Sequence, residues 1–144
     1  MLTVVRAVVR AANLFRPVRV ESLESFIVFL KSLCCPDVAV TAEFLAKDDT
    51  DSADVFTCTI CFSAVSPNGR SVIYSREFTW SKRIVGITLD LKNMETRTVL
   101  SWRLRSIADA EFTKIRKEVP DIRVGIVDLN GDRLVMTGDG HWSR

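Results

Sequence analysis

The sequence predicts an α+β fold: an antiparallel β-sheet meander of about five strands plus a C-terminal hairpin, covered on one face by two helices. Three stretches carry that expectation. Phe56, Cys58, Ile60, Phe62 and Ala64 alternate with Thr57, Thr59, Cys61 and Ser63, and a period of two is that of a half-buried strand. Ser66-Pro67-Asn68-Gly69-Arg70 breaks the run: Pro presets φ, and Asn-Gly tolerates positive φ. Alternation resumes with Val72, Tyr74, Phe78 and Trp80 against Ser75, Glu77 and Thr79, so a long hairpin forms the middle of the sheet. On either side of it, Leu23, Phe26, Ile27, Leu30 and Leu33, and Ile107, Ala108, Phe112, Ile115 and Val119, recur at helical spacing.

In chain order, residues 1–20 come first as a segment apart. They hold Arg6, Arg10, Arg16 and Arg19 and no acid. On a helix, Arg6, Arg10 and Asn13 fall on one side, with Leu2, Val5, Val9 and Ala12 on the adjoining face. Such a basic amphipathic start is that of a mitochondrial targeting or docking segment. It is too Arg-rich for a secretory signal, so reduced cysteines and a mitochondrial, otherwise cytoplasmic, location are expected. Residues 21–144 are expected to form a single α+β domain, a comfortable size for one core.

That domain opens on a helix over about 22–34, with Ser22 as N-cap and Pro36 beyond its end. Val38, Val40, Ala42 and Phe44 then alternate as a first strand. The acidic loop 47–54 leads into the central hairpin. Ser81-Lys82-Arg83 turns the chain, and Ile87, Leu89 and Leu91 read as a fourth strand. Residues 97–105 read as a fifth, with the start of a helix as the alternative; as a strand it has Thr98, Leu100, Trp102 and Leu104 on one face and Arg97, Val99, Ser101 and Arg103 on the other. Ser106 and Asp109 suggest a capped start to the second helix, which Pro120 ends. Ile122, Val124, Ile126, Leu134 and Met136 flank Asn130-Gly131 as a closing hairpin, and His141–Arg144 is a polar tail. The face of the sheet away from the helices is expected to show Thr57, Thr59, Ser63, Ser75, Thr79, Thr88 and Ser101 with Glu43, Glu77, Arg97 and Arg103.

Charge is segregated along the chain. Residues 1–20 carry a net +4, residues 21–64 a net −6 and residues 65–117 a net +6. That pattern suits a protein surface, or a mixed protein–RNA one, better than bare nucleic acid. No apolar run reaches the roughly 18 residues of a membrane-spanning helix.

The chemistry-bearing motifs mostly dissolve on inspection. Cys58-Thr59-Ile60-Cys61 has C-x-x-C spacing, but in a strand positions i and i+3 face opposite sides, so the two thiols do not converge. Cys34 and Cys35 are vicinal and poorly placed to share a metal. Asp128-Leu129-Asn130-Gly131-Asp132 resembles a calcium loop, yet its Gly is fourth where that pattern needs the sixth position, and a hairpin turn fits better. His141 is the only histidine and sits in the tail. Asp48, Asp49, Asp51 and Asp54 read as a solvated loop. No glycine-rich phosphate loop is present. No catalytic residue, cofactor, metal or small-molecule ligand is expected.

What remains is basic. Lys82 and Arg83 at a turn, and Arg97, Arg103 and Arg105 on the fifth strand, form an edge; Arg6, Arg10 and Arg16 add to it from the N-terminal segment. These eight are the candidate partner-binding residues. The function this implies is a non-catalytic subunit or adaptor acting by protein–protein contact, as a hetero-complex or homodimer, within a larger and plausibly mitochondrial assembly. RNA binding in a ribonucleoprotein through the 82–105 edge is the alternative, although Trp80 and Trp102 fall on the expected core face. A small enzyme using Cys34, Cys35 or Cys61 as nucleophile is the third reading.

Overall fold

A computed structural model describes residues 16–33, 38–136 and 140–144. Arg6, Arg10, Cys34 and Cys35 lie outside them. Helix α1 (Leu23–Ser32) starts where the sequence places it: the Ser22 side chain accepts a hydrogen bond from the Ser25 amide at 3.1 Å, and Leu23, Phe26 and Leu30 form its buried side. Strands β2 (Ala39–Asp48), β3 (Val55–Val65) and β4 (Ser71–Ser81) follow as an antiparallel meander. Ahead of α1 lies a short strand, β1 (Val18–Val20), parallel to the start of β4. It falls within the basic segment that the sequence sets apart.

The next elements depart from expectation. The fourth strand shrinks to a two-stranded ribbon of β5 (Arg83–Ile84) and β6 (Ile87–Thr88), outside the main sheet. Its turn is Val85-Gly86, with φ of 49° and 79°, the mirror-image turn that two-residue hairpins favour. Leu89 and Leu91 leave the ribbon and pack against the core.

The fifth strand does not form. Residues 97–105 belong to a single helix, α2 (Met94–Glu118), capped by Asn93, whose side chain accepts from the Glu95 amide at 2.9 Å. Ser106 lies mid-helix rather than at a cap. The alternation over 97–105 is also compatible with a four-residue repeat, and that repeat continues: Thr96, Leu100, Leu104, Ala108 and Phe112 are all buried. No Gly or Pro interrupts residues 93–119, so nothing stops the helix from extending back to Asn93. Trp102, expected in the core, is 63% exposed.

Strand β7 (Arg123–Val127) then returns beside β2, parallel to it, and pairs antiparallel with β8 (Arg133–Met136). The turn at Asn130-Gly131 forms as expected. Asp128 Oδ1 accepts from the Asn130 and Asp132 amides, each at 2.9 Å, and Gly131 takes φ 79°. The tail adds β9 (Trp142–Ser143) to β8. The main sheet thus has seven strands in the order β1-β4-β3-β2-β7-β8-β9. It is mostly antiparallel, with parallel pairs β1–β4 and β2–β7, and not a simple meander.

Both helices lie on one face. Phe26 of α1 packs on Tyr74 at 6.1 Å between ring centroids, and Phe112 of α2 packs edge-on against Phe62 at 5.5 Å. Phe62 and Tyr74 are cross-strand partners and so point the same way. Val40, Ala42, Phe44, Phe56, Cys58, Ile60 and Val72 complete this core.

Candidate interaction surface

Both helices lie on one side, so the other face of the sheet carries neither of them. The strand register builds that face row by row. Ile73, Ser63, Thr41, Gly125 and Val135 lie across it from β4 to β8, and Ser75, Cys61, Glu43, Val127 and Arg133 form the next row. Thr59 joins Glu77 to Leu45 beyond them. The face mixes short hydroxyls and apolar side chains with Glu43, Glu77 and Arg133. Leu45 is 50% exposed, Val65 58% and Val135 54%. Its expected members Thr57, Thr59, Ser63, Ser75, Thr79, Glu43 and Glu77 are there, with Thr57 buried. Thr88, Ser101, Arg97 and Arg103 are not, because their segments left the sheet. Ser101 is buried in α2 and its Oγ accepts from the Leu129 amide at 3.1 Å.

The predicted basic edge divides once α2 replaces the strand. Lys82 is spent internally: Nζ pairs with Asp48 at 2.8 Å and lies 5.4 Å from the Phe56 ring centroid. Arg97 is also spent, donating from Nε to Asn130 Oδ1 at 2.8 Å and from Nη1 to the Leu91 carbonyl at 2.9 Å. Arg16, Arg83 and Arg103 are exposed, and Arg103 stacks over Trp80 at 5.6 Å. Arg105 sits over Trp102 at 4.9 Å and Trp142 at 5.9 Å, a cation–π arrangement that holds its planar head still.

Trp102, Arg105, Thr98, Asn130 and Arg144 line a cleft of about 260 Å³ between α2 and the β7–β8 hairpin. Much of its polar lining is already paired. Arg144 reaches Asp132 at 3.1 Å, and Asp128 serves the turn. What the cleft offers a visitor is the exposed indole of Trp102 with a guanidinium beside it. The sequence missed this by reading Trp102 as core; Arg105 three residues on, one helical turn away, was the signal that pairs them.

The two described cysteines, Cys58 and Cys61, are free thiols on opposite faces of β3. Cys58 is fully buried on the helix face, and burial pushes its thiol up from 9.0 to about 11. Cys61 lies on the open face, so the two point apart. Among the described residues, no group of three or more His, Cys, Asp or Glu is placed to hold a metal ion. No helix among them is long and apolar enough to cross a membrane. Compared with known proteins, the chain matches no family model, no curated protein and no solved structure.

Proposed function

We propose that this protein is a non-catalytic subunit or adaptor that works by protein–protein contact. One observation carries the reading: a seven-stranded sheet has helices on one face only, and the other face bears exposed Leu45, Val65 and Val135 among small hydroxyl side chains. Large single-sided sheets with apolar side chains in water are surfaces that a partner stabilises. The acid-free basic start, Arg6 to Arg19, supports placing that partner in a mitochondrial assembly. The test is affinity capture from native cells by the wild-type chain and by a Leu45→Glu/Val135→Lys variant. A partner set lost in the variant supports the reading; an unchanged set, or the bait alone, refutes it.

A second reading, RNA contact, gains from the exposure of Trp102. An indole in solvent beside Arg105 and near the exposed Arg103 is the aromatic-and-cation pairing that single-stranded nucleic acid uses. Binding that falls steeply with salt and is lost in Trp102→Ala supports it; binding indifferent to both removes it. The third reading, a cysteine nucleophile, rests on Cys34, Cys35 or Cys61, of which Cys61 is the one among the described residues.

A further inference from the structure

Arg105 is held by the two indoles that flank it. Its guanidinium carbon lies 4.9 Å from the Trp102 ring centroid and 5.9 Å from that of Trp142. Neither contact needs an N–H, because the attraction is between the cation and the ring face. Among the described residues, no hydrogen bond or ion pair engages this guanidinium. The side chain is half-buried, and its five donors are left without an acceptor.

The holders are themselves fixed. Trp102 stands one turn back on α2. Trp142 donates from Nε1 to Asp109 Oδ1 at 2.8 Å and packs on Phe112. A guanidinium positioned in advance gives up little freedom when it takes hold of a ligand.

The cleft of about 260 Å³ between α2 and the β7–β8 hairpin lies beside it, and its charges decide what suits it. Arg105 and Arg144 are balanced there by Asp128 and Asp132, so the lining has no net charge. Arg144 is committed to Asp132 at 3.1 Å, which leaves Arg105 to receive an anion. A doubly charged phosphate monoester would enter a neutral cleft beside two carboxylates. A nucleic-acid strand would bring further phosphates with the first. One negative charge is what a single guanidinium matches, and a planar carboxylate fits its fork with two parallel bonds. Phe44 and Leu134 supply an apolar wall, and Trp102 an exposed ring, for the body that carries the carboxylate.

We propose that this cleft binds a carboxylate on a small apolar or aromatic body, gripped by Arg105. The volume lies below the roughly 300–1,000 Å³ of pockets that bury drug-sized ligands. The occupant is therefore a small aromatic acid or the last residue of a peptide chain. This goes beyond the open-face reading, since the cleft is on the helix side of the sheet. It also gives Trp102 and Arg105 a different ligand from the nucleic acid of the second reading.

Titration of the full chain with 3-phenylpropionate, followed by proton–nitrogen correlation spectra, tests it. Spectra of Trp102→Ala and Arg105→Gln assign the Trp102 Nε1–H and Arg105 Nε–H signals. Both signals are expected to move, with the Trp80 indole unchanged and Kd about 0.1–1 mM. The neutral amide, 3-phenylpropionamide, is expected to bind the wild type at least about ten-fold more weakly. That comparison needs no variant to fold. Arg105→Gln is expected to lose binding of the acid, and Arg105→Lys to recover only part of it. A tripeptide ending in phenylalanine with a free C-terminus separates the sources. Tighter binding than 3-phenylpropionate, lost on amidation, assigns the carboxylate to a chain end; weaker binding assigns it to a free acid.

An amide that binds as well as the acid overturns the proposal. So does an Arg105→Gln variant that binds as the wild type does, or a Trp102 signal unmoved up to about 10 mM acid. Phenyl phosphate or a short oligouridylate binding more tightly than the acid also overturns it, and moves the cleft to phosphate recognition.

Discussion

Arg97 Nε donates to Asn130 Oδ1 at 2.8 Å, and Asn130 Nδ2 donates in turn to Thr98 Oγ1 at 3.0 Å. The first turns of α2 are thereby tied to the β7–β8 turn, and the bond from Arg97 Nη1 to the Leu91 carbonyl adds the loop before the helix. This arginine is a clamp inside the molecule. Arg97→Ala is expected to cost about 1.5–3 kcal/mol of stability, the range for hydrogen bonds to a charged group. Arg97→Lys should recover only part of it, because an ammonium cannot reproduce the two-directional fork. Urea denaturation of the three proteins measures both.

A second clamp joins β4 to the same helix. Arg76 Nη1 lies 3.0 Å from Glu111 Oε1, and Glu111 is 4% exposed. Its other cation, Lys114, is 4.0 Å away and mostly in solvent. Removing the arginine strands a buried carboxylate, so Arg76→Ala should destabilise by about 1–3 kcal/mol. Arg76→Ala/Glu111→Leu should be less unstable than Arg76→Ala alone, a non-additivity that a double-mutant cycle reads directly.

The Cys58 thiol makes stability depend on pH in the alkaline range. Burial raises it from 9.0 to about 11 in the fold, whereas the unfolded thiol keeps its ordinary value. Below pH 9 both states hold the proton and there is no slope. Between pH 9 and about 11 the unfolded state loses it first, so the folded state binds more protons and stability falls as pH rises, by up to about 2–3 kcal/mol. Tyr74, raised by burial and then by Glu111, adds a loss of the same sign at higher pH. Denaturant midpoints across this range should decline more steeply in the wild type than in Cys58→Ala.

The two tryptophans of α2 and the tail separate surface from structure. Trp102 is 63% exposed, and Trp102→Ala should change stability by no more than about 0.5 kcal/mol. Trp142 donates from Nε1 to Asp109 Oδ1 at 2.8 Å and rests on Phe112 at 5.8 Å. Trp142→Ala should cost about 1–3 kcal/mol and free the C-terminal strand. Thermal melts of the two variants show the contrast.

How far the sequence led depends on where its signals were unambiguous. The central hairpin was legible because Phe56 to Ala64 alternate without exception and Pro67-Asn68-Gly69 marks the turn. Helix α1 was legible from Ser22 and the Leu23–Phe26–Leu30 spacing. Residues 97–105 were not: Leu100 and Leu104 satisfy a period of two and a period near four at once, and the absence of Gly or Pro from 93 to 119 was the deciding feature. The parallel placement of β7 beside β2 is a tertiary choice that no local pattern encodes. The basic edge was legible only as a run of cations along the chain: that Arg97 is held by Asn130 depends on a turn more than thirty residues away in sequence.

The measurement that bears most directly on the account is affinity capture from native cells, with and without nuclease, comparing the wild-type chain with Leu45→Glu/Val135→Lys. The account predicts a defined set of proteins that survives nuclease and disappears in the variant, while the variant folds as the wild type does. Partners that vanish with nuclease, or that the variant retains, would contradict the claim that the open sheet face is where this protein works.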